Sequence, residues 1–227
     1  MKRIVILTGA GISKESGINT FRDTGGTWEQ HDIEEVASIQ GWYKNPQLVL
    51  DFYNMRRKAL ESVSPNPAHI ALVQLESKYK VHIITQNVDD LHHRAGSSNI
   101  IQIHGSLKKM RSSTHEELIY DCNQDIKLGD FCELGSQLRP HIVWFGEPVP
   151  LIEKAVEICA QADIFIVVGT SLQVYPAAGL LDAVSRRATK YIADVNIPNI
   201  NNHSDFKTFE MPASIAVPLI VNELMQG

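Results

Sequence analysis

Short, nearly unbroken apolar runs recur along the chain at residues 4–7, 81–85, 100–103, 164–168 and 191–193. Runs this short, without polar alternation, mark strands buried on both faces of a parallel sheet. Between them, apolar positions fall at helical spacing over 45–62, 66–78, 150–162, 176–187 and 212–225. Asn66-Pro67 gives the second of these helices an N-cap and a proline in its first turn. The alternation predicts an α/β fold, a Rossmann-type parallel sheet with helices on both faces. Two stretches break the pattern. Residues 17–41 are rich in loop formers, among them Asp23-Thr24-Gly25-Gly26, and residues 106–137 are polar and aperiodic. The first is expected to form a flexible active-site loop and the second a small inserted module. A large domain is therefore expected from 1–30, 80–105 and 138–227, and a smaller one from a helical insertion, 31–79, together with 106–137.

Composition narrows the function classes. The chain has 227 residues, of which 44% are hydrophobic, enough for a substantial core. A net charge of −5 argues against a chain built to hold the phosphate backbone of nucleic acid. No stretch approaches the ~18 apolar residues of a membrane span, and the apolar run after Met1-Lys2-Arg3 is too short for a signal peptide. A soluble, cytoplasmic protein with no nucleic-acid or membrane partner is expected. Three cysteines, Cys122, Cys132 and Cys159, with no C-x-x-C, exclude a four-thiolate zinc site within one copy and indicate no disulfide framework.

Candidate chemistry sits at the strand ends. Gly9-Ala10-Gly11-Ile12-Ser13 follows the first strand and opens a helix, where backbone N–H groups can face a pyrophosphate. Lys14 replaces the third glycine of the dinucleotide fingerprint, and no acid ends a strand ~20 residues on, so a tight strand-to-helix turn competes with that reading. Thr20-Phe21-Arg22 lies where it could close over a ligand. Thr85-Gln86-Asn87-Val88-Asp89-Asp90, His104-Gly105, Gly169-Thr170-Ser171 and Asn196 end further strands at the edge where α/β proteins place ligands. A neutral imidazole at His104 could take a proton near pH 7.

These motifs, with Gly17-Ile18, Gly26-Thr27-Trp28 and Val143-Trp144-Phe145-Gly146-Glu147, resemble the sirtuins, the NAD-dependent protein-lysine deacylases, in order and over essentially the whole chain. The resemblance implies that the large domain binds NAD and that acyl-lysine proteins or peptides are the substrates. It implies that nicotinamide and O-acyl-ADP-ribose are released, with His104 as the base and Asn87 and Asp89 ordering the nicotinamide end. It implies a cofactor wall of Gly9, Ala10, Gly11, Ile12, Thr20, Phe21, Arg22 and Trp28, then Gln86, Asn87, Val88 and Asp89. Gly169, Thr170, Ser171, Asn196, Ile197, Pro198 and Ala213 would form its adenosine end. Val143, Trp144, Phe145, Gly146 and Glu147 match the segment that pairs with substrate backbone as an added strand.

Tyr53 and Arg56, three apart on a predicted helix, share a face. Alone, such a pair reads as an ordinary solvated face. In a sirtuin-like chain it resembles the tyrosine and arginine that hold succinyl, malonyl or glutaryl lysine, which implies desuccinylase and demalonylase activity beside deacetylation. The chain departs from the family in the 106–137 module, where Arg111-Ser112-Ser113-Thr114-His115 stands at the first paired-cysteine positions. Cys122 and Cys132 remain, with His115 and Asp121 or Asp130 as conceivable further ligands, but no closely spaced pair supports a metal. No zinc is expected, and packing is expected to hold the module. Cys159 reads as core, and His69, His92 and His93 are not expected to be catalysts. The competing functions are a mono-ADP-ribosyltransferase, an NAD glycohydrolase, or an NAD-binding module without turnover.

Overall fold

A computed structural model describes residues 1–19, 32–199 and 203–227. The expectations for Thr20, Phe21, Arg22 and Trp28 lie outside the described residues. In chain order the strands are β1 (Arg3–Thr8), β2 (Lys80–Thr85), β3 (Ile100–Gln102), β4 (Gly105–Ser112), β5 (Ile119–Asp121), β6 (Leu138–Ile142), β7 (Ile164–Val168), β8 (Thr189–Asp194) and β9 (Phe206–Glu210). The helices are α1 (Gly11–Lys14), α2 (Ile33–Val36), α3 (Ile39–Lys44), α4 (Pro46–Ala59), α5 (Pro67–Gln74), α6 (Leu91–Ala95), α7 (Ile152–Cys159) and α8 (Ala213–Gln226).

Six strands form one parallel sheet in the order β3-β2-β1-β7-β8-β9. Its central strands bury alternate side chains in two separate cores, which is why they read as continuous apolar runs. Ile4, Ile6, Ile83 and Ile166 pack beneath α5 and α8, while Val5, Leu7, Phe165 and Val167 pack beneath α7 and the 3₁₀ turn Ala177–Ala183. A second, three-stranded antiparallel sheet, β5-β4-β6, shares a core with α4 through Val49, Phe52, Tyr53, Leu107, Leu138 and Trp144. The Asn66 side chain accepts the Ala68 N–H, as its N-cap position requires.

Four features differ from the pattern-based expectations. Residues 106–137 hold most of an antiparallel sheet. β4 carries no apolar run, because only Leu107 and Met110 of its eight residues are large apolar side chains and Lys109 is exposed in its middle. Within 176–187, Ala177–Ala183 form the 3₁₀ turn and the rest is irregular, rather than one α-helix. β9, a half-exposed edge strand, carries Lys207 and Thr208 and has no apolar run. Within the expected helical insertion 31–79, α5 packs on the large sheet through Ala68, Ala71 and Leu72 instead of joining the small core. Among the described residues, no helix is long and apolar enough to cross a membrane.

Candidate active site

The turn after β1 interlocks with the turn after β7. Gly9 N–H donates to the Val168 carbonyl at 3.0 Å and Gly11 N–H to that of Gly169 at 2.8 Å. A Cβ on Gly11 would lie 2.6 Å from Gly169 Cα, and Gly169 itself sits at φ +61 with no room for one. The glycines therefore serve first to bring two backbones together. The helix they open is one turn long, and its first amides turn inward: Ile12 N–H meets the Gly9 carbonyl and Ser13 N–H that of Ala10.

Above this junction a cleft of about 980 Å³ runs along the carboxyl ends of the parallel strands. That volume lies at the upper end of the range for ligand sites. Gly9, Ala10 and Gly11 line it, as do Gln86, Asn87, Val88, Asp89 and His104 from the ends of β2 and β3. Gly169, Thr170 and Ser171 follow, and Asn196, Ile197 and Pro198 form the far end. Ile12 and Ala213 do not reach the wall and lie in the core under the sheet.

At the near end the polar groups are locked in place. Ser13 Oγ donates to Asp89 Oδ2 at 3.0 Å and accepts from Asn87 Nδ2 at 3.1 Å. Asp89 Oδ1 accepts the Leu91 N–H, and Gln102 donates to the Asp89 carbonyl at 2.7 Å. Burial raises the Asp89 pKa against the opposing pull of the Leu91 and Ser13 hydrogen bonds. His104 Nδ1 lies 3.1 Å from the Gln86 carbonyl. A carbonyl only accepts, so Nδ1 carries the proton and Nε2 keeps its lone pair. Burial lowers the His104 pKa, outweighing the Gln86 contact, and keeps the ring neutral at pH 7. Gln86 Nε2 also donates to Thr170 Oγ1, tying the two halves of the cleft floor.

α4 supplies one side wall. Tyr53 is buried and edge-on to Phe52. The half-buried Arg56 guanidinium lies 5.8 Å from the Tyr53 ring and 5.6 Å from the Phe52 ring. Among the described residues no carboxylate is within ion-pair reach of Arg56. Residues 143–147 form the adjoining wall, with the Trp144 ring 6.1 Å from that of Tyr53. Phe145 N–H donates to the Ala37 carbonyl and its own carbonyl accepts Ile39 N–H, a parallel bridge at Ser38. The Glu147 carboxylate turns into the protein, accepting from both Nη atoms of Arg139 at 2.6 and 3.0 Å, from Arg111 at 3.2 Å and from Trp144 N–H at 2.8 Å. Burial opposes ionisation of Glu147, but its two arginines and the Trp144 N–H outweigh that and hold its pKa below the usual range.

In the small sheet, Ser112 Oγ accepts the N–H groups of Thr114 and His115, and Cys132 Sγ lies 3.5 Å from it. Cys122 Sγ turns elsewhere, to the Gln124 carbonyl. Among the described residues, no three His, Cys, Asp or Glu side chains converge as a metal site. Sequence reasoning missed the linking roles of Ser13, Gln102 and Arg139. Ser13 belongs to the Gly9–Ser13 motif, but nothing local marks the other two.

The Sir2 family pattern matches residues 9–176. The NAD-dependent protein deacylase of Helicobacter pylori is 57% identical over 199 residues, covering 88% of this chain and 85% of that protein. The Vibrio cholerae protein of the same name is 45% identical over 236 residues, covering 99% and 94%. Among solved structures, a Sir2 homologue in complex with NAD superposes with a TM-score of 0.89 at 36% identity, covering 99% of this chain and 90% of that one. A Sir2 protein with a deacetylated p53 peptide and 3′-O-acetyl ADP-ribose superposes at 0.79 and 30% identity, covering 98% and 92%.

Proposed function

The chain belongs to the Sir2 family, and on that premise we propose that it is an NAD-dependent protein-lysine deacylase whose preferred acyl groups end in a carboxylate. NAD, when bound along Gly9–Gly11 and Gln86–Asp89, would supply an electrophilic C1′ on its nicotinamide ribose. Asn87 and Asp89, braced by Ser13, order the nicotinamide end. His104 presents an unprotonated Nε2 and takes a proton from a ribose hydroxyl, the task for which a neutral buried imidazole is suited. Residues 143–146 offer the wall along which the substrate backbone is laid as a strand. Glu147, expected among the substrate contacts, instead braces that wall. The small sheet stands without zinc, and three unpaired cysteines suit a reducing, cytoplasmic setting.

The observation that carries the acyl preference is Arg56, which is half-buried in the cleft beside Tyr53 with no carboxylate partner among the described residues. A desolvated guanidinium in that position is stabilised by a carboxylate on the incoming chain. Arg56→Met is expected to lower the ratio of kcat/KM for succinyl over acetyl peptides by about 10- to 100-fold, the worth of a charged hydrogen bond or two. A ratio unchanged from wild type sinks the assignment.

A further inference from the structure

Two residues of α4, Asn54 and Arg57, take no part in the cleft wall and hold the loop between β5 and β6 instead. The Asn54 amide exchanges hydrogen bonds with both backbone groups of Ile126, at 2.9 and 3.0 Å. Arg57 Nε donates to the Leu107 carbonyl at 2.7 Å and Nη1 to Asn54 Oδ1 at 2.8 Å. Nη1 also lies 3.4 Å from the Gln124 carbonyl, a long contact for a hydrogen bond. Nη2 has no partner among the described residues, although only 4% of Arg57 is exposed. Burial lowers the Arg57 pKa, against the weaker pull of Cys122 and Asp125. A charged donor left unmet in a buried position is costly and calls for an acceptor.

Arg57 lines a cavity of about 410 Å³ between α4 and that loop, which shares no lining residue with the active-site cleft. Two of its acids are already engaged. Asp125 Oδ2 accepts from Lys58 Nζ at 2.7 Å, and Asp130 Oδ2 accepts the Lys127 N–H at 2.8 Å. The third, Glu61, is exposed to water, which screens it. The Lys127 ammonium, also on the wall, has no carboxylate within ion-pair reach among the described residues. The cavity therefore offers two cationic groups without partners, one buried and one exposed, beside the side-chain amides of Asn123 and Gln124.

We propose that this cavity binds a small dicarboxylate, with one carboxylate on Arg57 Nη2 and the other reaching Lys127. A guanidinium matches a carboxylate in charge and shape, and burial strengthens the contact. The volume falls in the range of small-molecule sites and exceeds what one inorganic ion fills. A more highly charged polyanion meets repulsion from Glu61, Asp125 and Asp130.

Titration of the isotope-labelled full chain with succinate, followed by heteronuclear NMR, tests the site. Saturable shifts are expected at the backbone amides of residues 123–130, and they are expected to persist in Arg56→Met, which separates this cavity from a carboxylate held in the cleft. Lys127→Gln, at an exposed position, is expected to weaken succinate at least ~3-fold at these amides. Arg57→Met is expected to weaken it at least ~10-fold. If that variant does not fold, Lys127→Gln alone decides. Acetate and inorganic phosphate are each expected to bind at least ~3-fold more weakly than succinate. Shifts confined to the cleft amides, or an affinity unchanged in Lys127→Gln, overturn the assignment and leave the proposed deacylase activity standing. Acetate or phosphate binding as tightly as succinate overturns the dicarboxylate class.

Discussion

Glu147 shows how much of this site depends on side chains that brace one another. Its carboxylate accepts four hydrogen bonds, three from arginine, and Arg139 lies in turn against the Trp144 ring at 3.3 Å. Removing one partner from a buried pair leaves the others charged and desolvated, at a cost of about 3–5 kcal/mol. Glu147→Ala is therefore expected to lower the unfolding free energy by about that much, read as a fall in the urea midpoint. A midpoint within error of wild type would mean that the arginines find water instead. The local motif brought Glu147 to notice but not its direction, because the arginines that turn it inward come from neighbouring strands of the small sheet. Ser13 is similar: it meets Asp89 across 76 positions of sequence. A strand-end motif gives the identity of the polar residues, whereas their bracing is a property of which strands become neighbours.

Among the elements, the small sheet is the most informative. Ser112 occupies the turn end of β4, and its hydroxyl satisfies two backbone N–H groups that a loop of this shape must otherwise leave bare. Thr114 and Ser136 close the same corner at 2.6 Å, while Leu107, Cys122, Ile126 and Leu138 supply its packing with α4. On the proposed metal-free reading, prolonged dialysis against EDTA is expected to leave the melting temperature within about 1 °C of the untreated protein, because no metal-binding energy would contribute to its folding. A marked drop, restored by zinc, refutes the metal-free module. The serines that argued against a metal were legible in the sequence, but the sheet around them was not. β4 exposes Lys109 between half-buried and buried neighbours, so its pattern is neither the continuous run of a two-faced strand nor a clean alternation.

At the level of the whole molecule, buried neutral histidines couple the fold to acidity. His69 and His92 meet edge to face under the glycine junction, 4.9 Å between ring centres, and His92 Nε2 reaches Thr8 Oγ1 at 3.1 Å. Burial lowers both pKa values, that of His69 to about 4 and that of His92 well below its usual value. The folded-state pKa is depressed, so below about pH 6.5 the unfolded chain takes up protons that the folded chain refuses. Stability is therefore retained at pH 7 and lost progressively toward pH 4, by about 3 kcal/mol for His69 alone. Denaturant titrations at pH 7 and pH 5 are expected to show this loss, and His69→Gln to flatten it. An equal slope in the variant would place the acid sensitivity elsewhere. The parallel sheet and its ligand edge were visible in the apolar runs, whereas the assignment of α5 to the large core depends on α8, which closes the chain.

The position of β1 also shapes how the chain is made. Its first edge pairs with β2, but its other edge pairs with β7, which begins at Ile164. During synthesis the strand that carries the glycine turn waits, one apolar edge open, until β7 has left the ribosome. Non-local parallel pairing of this kind is slow to form and prone to aggregation before it does. The active-site turn is thus translated well before the strand that completes its surroundings.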